Sequence, residues 1–161
     1  MQVSSQVSHA LDSEHHTSLE LLGRVEQALA RSGDAAAQEF GRLAAAFVRL
    51  VEEDIGRHFD FEEGELFPRM SDAGEADIAA LLREEHEAIR EVAAEVLPLA
   101  RAAAAGALDR AGFAALKRGA SELIERQVAH IQKETMALLP LLDDLLDDDL
   151  DRTLAFAYAT G

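Results

Sequence analysis

An all-α fold, an up-down-up-down four-helix bundle with a short C-terminal helix, follows from three features of this sequence. Alanine and leucine dominate, runs of valine, isoleucine and threonine are scarce, and only three prolines occur among 161 residues, a composition that favours helix over strand. Four long segments space their apolar residues at a helical period rather than in alternation. One phrase is also used twice: His58-Phe-Asp-Phe-Glu62 followed by Leu66-Phe67-Pro68 reappears as His130-Ile-Gln-Lys-Glu134 followed by Leu138-Leu139-Pro140.

The first helix is expected from about Ser8 to Arg31, because Leu11, His15, Leu19, Leu22, Val25 and Leu29 share one face and Ser32-Gly33-Asp34 supplies a stop. A second, from about Ala35 to Leu66, carries Phe40, Leu43, Phe47, Leu50 and Val51. Its stripe continues through Asp54, His58 and Glu62, so polar residues enter the core face. Pro68 to Gly74 reads as a turn. Ile78, Leu82, His86, Ile89, Ala93 and Val96 form the third stripe, which Pro98 is expected to kink or end. Gly106 and Asp109 lead into the fourth helix, where Phe113, Leu116, Ala120, Leu123 and Gln127 precede His130, Glu134 and Leu138. The acidic run Asp143 to Asp151 lacks the spacing and glycine of a calcium loop. It reads as a solvated connection to a short fifth helix near Tyr158. The chain is read as one domain, 1–161, with its core bundle at about 8–142.

Charge and composition exclude several functions. Fifteen basic against 31 acidic residues give a net charge of −16, which repels nucleic acid and anionic membrane surfaces. No window approaches the ~20 apolar residues of a membrane span, and the Met1-Gln-Val-Ser start lacks the regions of a signal peptide. A cytoplasmic location, with no membrane and no nucleic-acid partner, is the expectation. The absence of cysteine excludes disulfides, thiolate ligands and iron–sulfur chemistry. Any metal must therefore sit on nitrogen and oxygen.

The repeat suggests how. Its two histidines lie 72 residues apart (130 − 58), and the pairs Glu14-His15 and Glu85-His86 lie 71 apart (86 − 15). A histidine and a glutamate four residues apart on a helix project from the same face. Two helix hairpins packed face to face would thus converge four imidazoles and two carboxylates, enough for two metals if each carboxylate bridges. A single histidine on an apolar stripe is ordinarily a hydrogen-bonded core residue. Four of them with two glutamates are different, because burying them unpaired is costly and metal ligation satisfies all six together.

With those residues in place, the chain resembles the hemerythrin-like, HHE cation-binding family over nearly its whole length. The resemblance rests on His15, His58-x-x-x-Glu62, His86 and His130-x-x-x-Glu134, together with the Leu-Phe-Pro and Leu-Leu-Pro endings and the Glu-His pairs. It implies a bundle holding two iron ions as a non-haem di-iron centre, with zinc or manganese as possible substitutes. Glu62 and Glu134 would bridge, His15 and His58 would serve one iron, and His86 and His130 the other. Oxygen-carrying hemerythrins are similar but have a further histidine four residues after the one matching His86. Here that residue is Arg90, and position 82 is leucine. The centre is then expected either to keep an open position or to have it filled by a carboxylate such as Glu63 or Glu65, which counts against reversible oxygen carriage.

Three functional classes follow. The first is a di-iron protein that binds or senses a small oxidant such as dioxygen, nitric oxide or peroxide, acting alone or through a separate, unnamed protein. The second is a peroxide-consuming or oxidase-like enzyme, for which Arg90 beside an open position would speak. The third is iron storage or delivery, or a purely structural bundle. Among single residues, His16 falls on a more polar face than His15, and His9 reads as solvated. Asp54 and Gln127, about a turn before His58 and His130, would either orient an imidazole or be ordinary polar residues. Tyr158 reads as packing.

Overall fold

The computed structural model describes residues 5–161, so the start read above for a signal peptide lies outside the described residues. The chain folds into α1 (Gln6–Leu29), α2 (Asp34–Glu53), α3 (Phe59–Phe61), α4 (Phe67–Asp72), α5 (Ala76–Ala104), α6 (Arg110–Ala137), α7 (Leu139–Leu145) and α8 (Asp148–Thr160). Four rods make the bundle: α1, the run from α2 to α4, α5 and α6. Around the ring, α1 packs on α2 and α6, and α5 packs on the same two. No strand occurs among the described residues, and no described helix is long and apolar enough to cross a membrane.

Local chemistry sets the ends of the rods. Ser5 caps α1 by accepting from Ser8 N at 3.0 Å, and Asp109 caps α6 by accepting from Gly112 N at 2.7 Å. At two of the connections, Gly33 (φ 60°) and Gly106 (φ 68°) take the left-handed backbone that side chains disfavour. Pro68 and Pro140 sit in the first turns of α4 and α7, where a missing N–H costs nothing.

Three sequence expectations are corrected. Pro98 does not end its helix, because α5 runs unbroken through it. Val96, Leu97 and Ala100 are buried around it while Pro98 itself faces solvent. Packing on one side thus holds the rod, and water can satisfy the carbonyl that Pro98 leaves free on the other. Pro68 to Gly74 is mostly helix, since α4 buries Phe67 and Met70 before Gly74 turns the chain. The acidic run is solvated, since all its aspartates but Asp151 are exposed, but it is more than a connection: it is largely helical and caps helix starts. Asp143 accepts from Ser5 N at 3.0 Å, Asp151 from Gln6 N and Val7 N at 2.8 and 3.0 Å, and Asp147 caps α8. These carboxylates satisfy the donors at two helix starts.

The apolar core falls into two clusters. Leu22, Phe40, Phe47, Val96, Leu116 and Leu123 belong to one, and Leu11, Leu66, Met70, Leu82, Leu138 and Leu142 to the other. Every rod passes from one cluster to the other through a polar layer: His15 and Ser18 on α1, Asp54 to Glu62 on the second rod, His86 on α5, and Gln127 to Glu134 on α6.

Candidate metal centre

The second rod reaches this layer through two π-helical turns, Asp54–His58 and Glu62–Leu66, either side of α3. Such turns insert an extra residue per turn and commonly mark functional sites. The matching stretch of α6 is ordinary α-helix, so the sequence repeat is not an exact structural one.

All six residues singled out from the sequence meet in the layer, each at most 4% exposed. His15 Nε2 lies 3.2 Å from Glu134 Oε1, and His58 Nε2 lies 3.4 Å from Glu62 Oε2. His86 Nε2 lies 3.2 Å from Glu62 Oε1, and His130 Nε2 lies 3.4 Å from Glu134 Oε1. Their donor atoms form two overlapping groups, His15, His58, Glu62 and Glu134, and Glu62, His86, His130 and Glu134, with the atoms of each group within 4.8 Å of one another. Both glutamates belong to both groups.

A ring of outer partners decides which nitrogen faces inward. His58 Nδ1 meets Glu14 Oε2 at 3.0 Å, His86 Nδ1 meets Glu63 Oε2 at 2.7 Å, and His130 Nδ1 meets Glu85 Oε1 at 2.9 Å. His15 Nδ1 meets Thr135 Oγ1 at 3.3 Å. Ionised carboxylates only accept, so the Nδ1 atoms of His58, His86 and His130 donate. Thr135 Oγ1 gives its hydrogen to Ile131 O, so His15 Nδ1 donates too, and the Nε2 atoms face the centre. There His86 Nε2 and His130 Nε2 stand 3.0 Å apart, an arrangement of two acceptors that needs a proton or a cation between them. His15 Nε2, both oxygens of Glu62 and Oε2 of Glu134 have no hydrogen-bond partner. Buried donor atoms that converge without partners fit a metal site of nitrogen and oxygen ligands.

The electrostatics agree. Burial alone would lower His130, but the charge and hydrogen bond of Glu134, with Glu85 and Glu62, together outweigh it and raise the imidazole to about 10. His58 is likewise pushed down by burial and held well above its ordinary value by Glu62 and Glu14. Burial raises Glu14, yet hydrogen bonds from His58 and Tyr158 bring it down to about 2. The layer therefore retains positive charge among its carboxylates, as protons or as a cation.

Residues 6–142 match the family model for the hemerythrin HHE cation-binding domain. The chain belongs to that family. No curated protein and no solved structure matches it. As a hemerythrin-domain protein it carries a cation-binding fold, and its His/Glu layer is the cluster suited to the cation. The match stops at Leu142, so α8 and the residues it brings to the layer lie beyond it.

Several single residues fall differently from expectation. Glu63 does not turn inward, because it holds His86 and takes Arg90 Nη2 at 2.8 Å. Glu65 pairs with Arg69 at the surface. Arg90 stands outside the layer, on Glu63 and over the Phe59 ring, with that ring stacked on His86 at 3.6 Å. Apolar aromatic surface, not the guanidinium, adjoins the imidazole there, and this removes the support Arg90 lent to an enzyme. Tyr158 is packed as expected, but its hydroxyl also donates to Glu14 and lies 3.2 Å from His58 Nδ1. Only the docking of α8 on α1 makes that contact; nothing in its spacing marked it. Glu14 and Glu85 were visible as repeated neighbours of His15 and His86, yet each serves a histidine of another helix. His16 and His9 are exposed.

Asp54 and Gln127 pair with each other, Gln127 Nε2 donating to Asp54 Oδ2 at 2.7 Å, rather than holding an imidazole. Burial, working against nearby His58, raises Asp54 to about 6. An acid raised on folding costs stability as pH climbs from its ordinary 3.8 through about 6. Asp54→Asn keeps an acceptor for Gln127, so it is expected to stabilise the metal-free protein by about 3 kcal/mol above about pH 7 and hardly at all below about pH 4. Urea unfolding at both pH values tests this, and an equal gain at the two would refute it.

Proposed function

We propose that this chain holds two iron ions in the His/Glu layer and uses them to bind or sense a small oxidant such as dioxygen, nitric oxide or peroxide. The observation that carries this reading is the shared pair of glutamates. Each group of donors offers two imidazoles and the same two carboxylates, fewer ligands than iron ordinarily accepts, so a small molecule has room to coordinate. Bound iron would supply reversible electron transfer to that molecule. Glu62 and Glu134 would bridge, His15 and His58 would serve one ion, and His86 and His130 the other.

The protein's own residues restrict what can approach. Beside the layer runs a narrow space lined by His15, Ser18, Asp54, His58, Gln127, His130 and Ile131, too tight for a water molecule. Gln127 Oε1 faces the interior without a partner. A site this enclosed excludes bulky substrates, and even a diatomic ligand would enter only as the side chains around it shift. Phe59, stacked on His86, lines the same space and makes part of its wall apolar.

Iron content and the ultraviolet–visible spectrum of protein from iron-supplemented cells test the reading, before and after oxidant is added to the reduced form. About two irons per chain and a ligand-dependent absorption are expected. A helical protein without bound metal would refute it. Removing an outer carboxylate should weaken the site without abolishing it: Glu85→Ala is expected to lower metal affinity about 10–100-fold, measured by competition with a chelator, while His16→Ala leaves it unchanged.

A further inference from the structure

The outer ring is duplicated with one exception. Glu14 on His58 is mirrored by Glu85 on His130, and the repeat offset equates Glu63 with position 135. Glu63 holds His86 at 2.7 Å, but its counterpart is Thr135, which meets His15 at 3.3 Å. Each of the three carboxylates is itself anchored by a cation: Glu14 by Arg57 at 2.9 Å, Glu63 by Arg90 at 2.8 Å, and Glu85 by Lys133. Thr135 has no such support, and its own hydrogen goes to Ile131 O at 2.9 Å. Charge-assisted bonds are shorter and roughly twice as strong as neutral ones, and an outer carboxylate both orients an imidazole and strengthens it as a ligand. His15 is thus the least tightly oriented of the four.

It also has somewhere to go. His15 lines an open groove of about 260 Å³ between α1 and α6, with Leu19, Ile131, Thr135 and Met136 along it. Met136, 77% exposed, forms part of its lining and is unbranched and flexible.

We propose that His15 is the labile ligand of the centre: it releases first, towards the α1–α6 groove, and makes the position it shares with His58 the one where a divalent metal ion enters and leaves. The position of His86 and His130 is the retained one. This inference rests on the two-metal reading above.

The test is iron release from the anaerobic ferrous protein into an excess of a chromogenic chelator. Wild type should release iron in two equal phases, the faster at least about ten times quicker. Thr135→Glu, which restores the carboxylate found at position 63, should slow the fast phase at least about tenfold. Thr135→Val removes the hydroxyl and should accelerate that phase alone. Glu63→Thr gives His86 the neutral partner and should bring the slow phase towards the fast one, a result that stands even if Thr135→Glu fails to fold. Two irons leaving in a single phase, or two phases that Thr135→Val and Glu63→Thr both leave unchanged, would overturn the inference while the two-metal reading stood. A protein that binds no iron would overturn both.

Discussion

Replacing Glu62 or Glu134 with alanine is expected to empty both metal positions at once. Each glutamate belongs to both groups of donors, so on the two-metal proposal its loss would remove an oxygen ligand from each ion and the negative charge that would hold the two cations close together. Deleting a terminal imidazole removes one ligand from one ion only. His130→Ala should accordingly leave a residual single metal, whereas Glu134→Ala should leave close to none, with affinity reduced well beyond the roughly 10–100-fold that an outer partner contributes. Metal analysis after gel filtration measures the difference, and circular dichroism checks that the variants remain helical. A Glu62→Ala protein that keeps both metals would remove the bridging role.

Stripping the metal from the wild type is the second large effect. The layer buries four imidazoles and two carboxylates between two apolar clusters. A ligand that binds only the folded chain stabilises it by about 4 kcal/mol when present at a thousand times its dissociation constant. For a domain of this size that corresponds to a drop of roughly 10 °C in Tm when the metal is removed. The helices should persist in the stripped protein, because both apolar clusters and the outer ion pairs remain. Thermal unfolding with and without a chelator measures it. An unchanged Tm would mean that protons satisfy the layer as well as a metal does, and the cation reading would lose its energetic basis.

Much of this architecture was legible in the chain. Leu11, Leu22 and Leu29 on α1, or Leu116, Ala120 and Leu123 along α6, state the helical period directly. His58 with Glu62 and His130 with Glu134 needed only the four-residue rule to share a face. What escaped were contacts with no local signature. Tyr158 reaches Glu14 and His58 across 144 and 100 residues of chain. Pro98 does not end its helix, since propensity is overridden once the flanking residues are buried. The π-helical turns of the second rod hide inside a stripe that looks regular.

The sequence by itself determined the all-helical class and the inward faces on which His15, His58, Glu62, His86, His130 and Glu134 stand, because helical period is a property of neighbouring residues. Tertiary structure alone decided what stands behind each imidazole: Glu14, Glu63 and Glu85 on three of them, Thr135 on the fourth, and Tyr158 beside Glu14. Those pairings join different helices, and so depend on how the rods cross and rotate against one another, which no local pattern encodes.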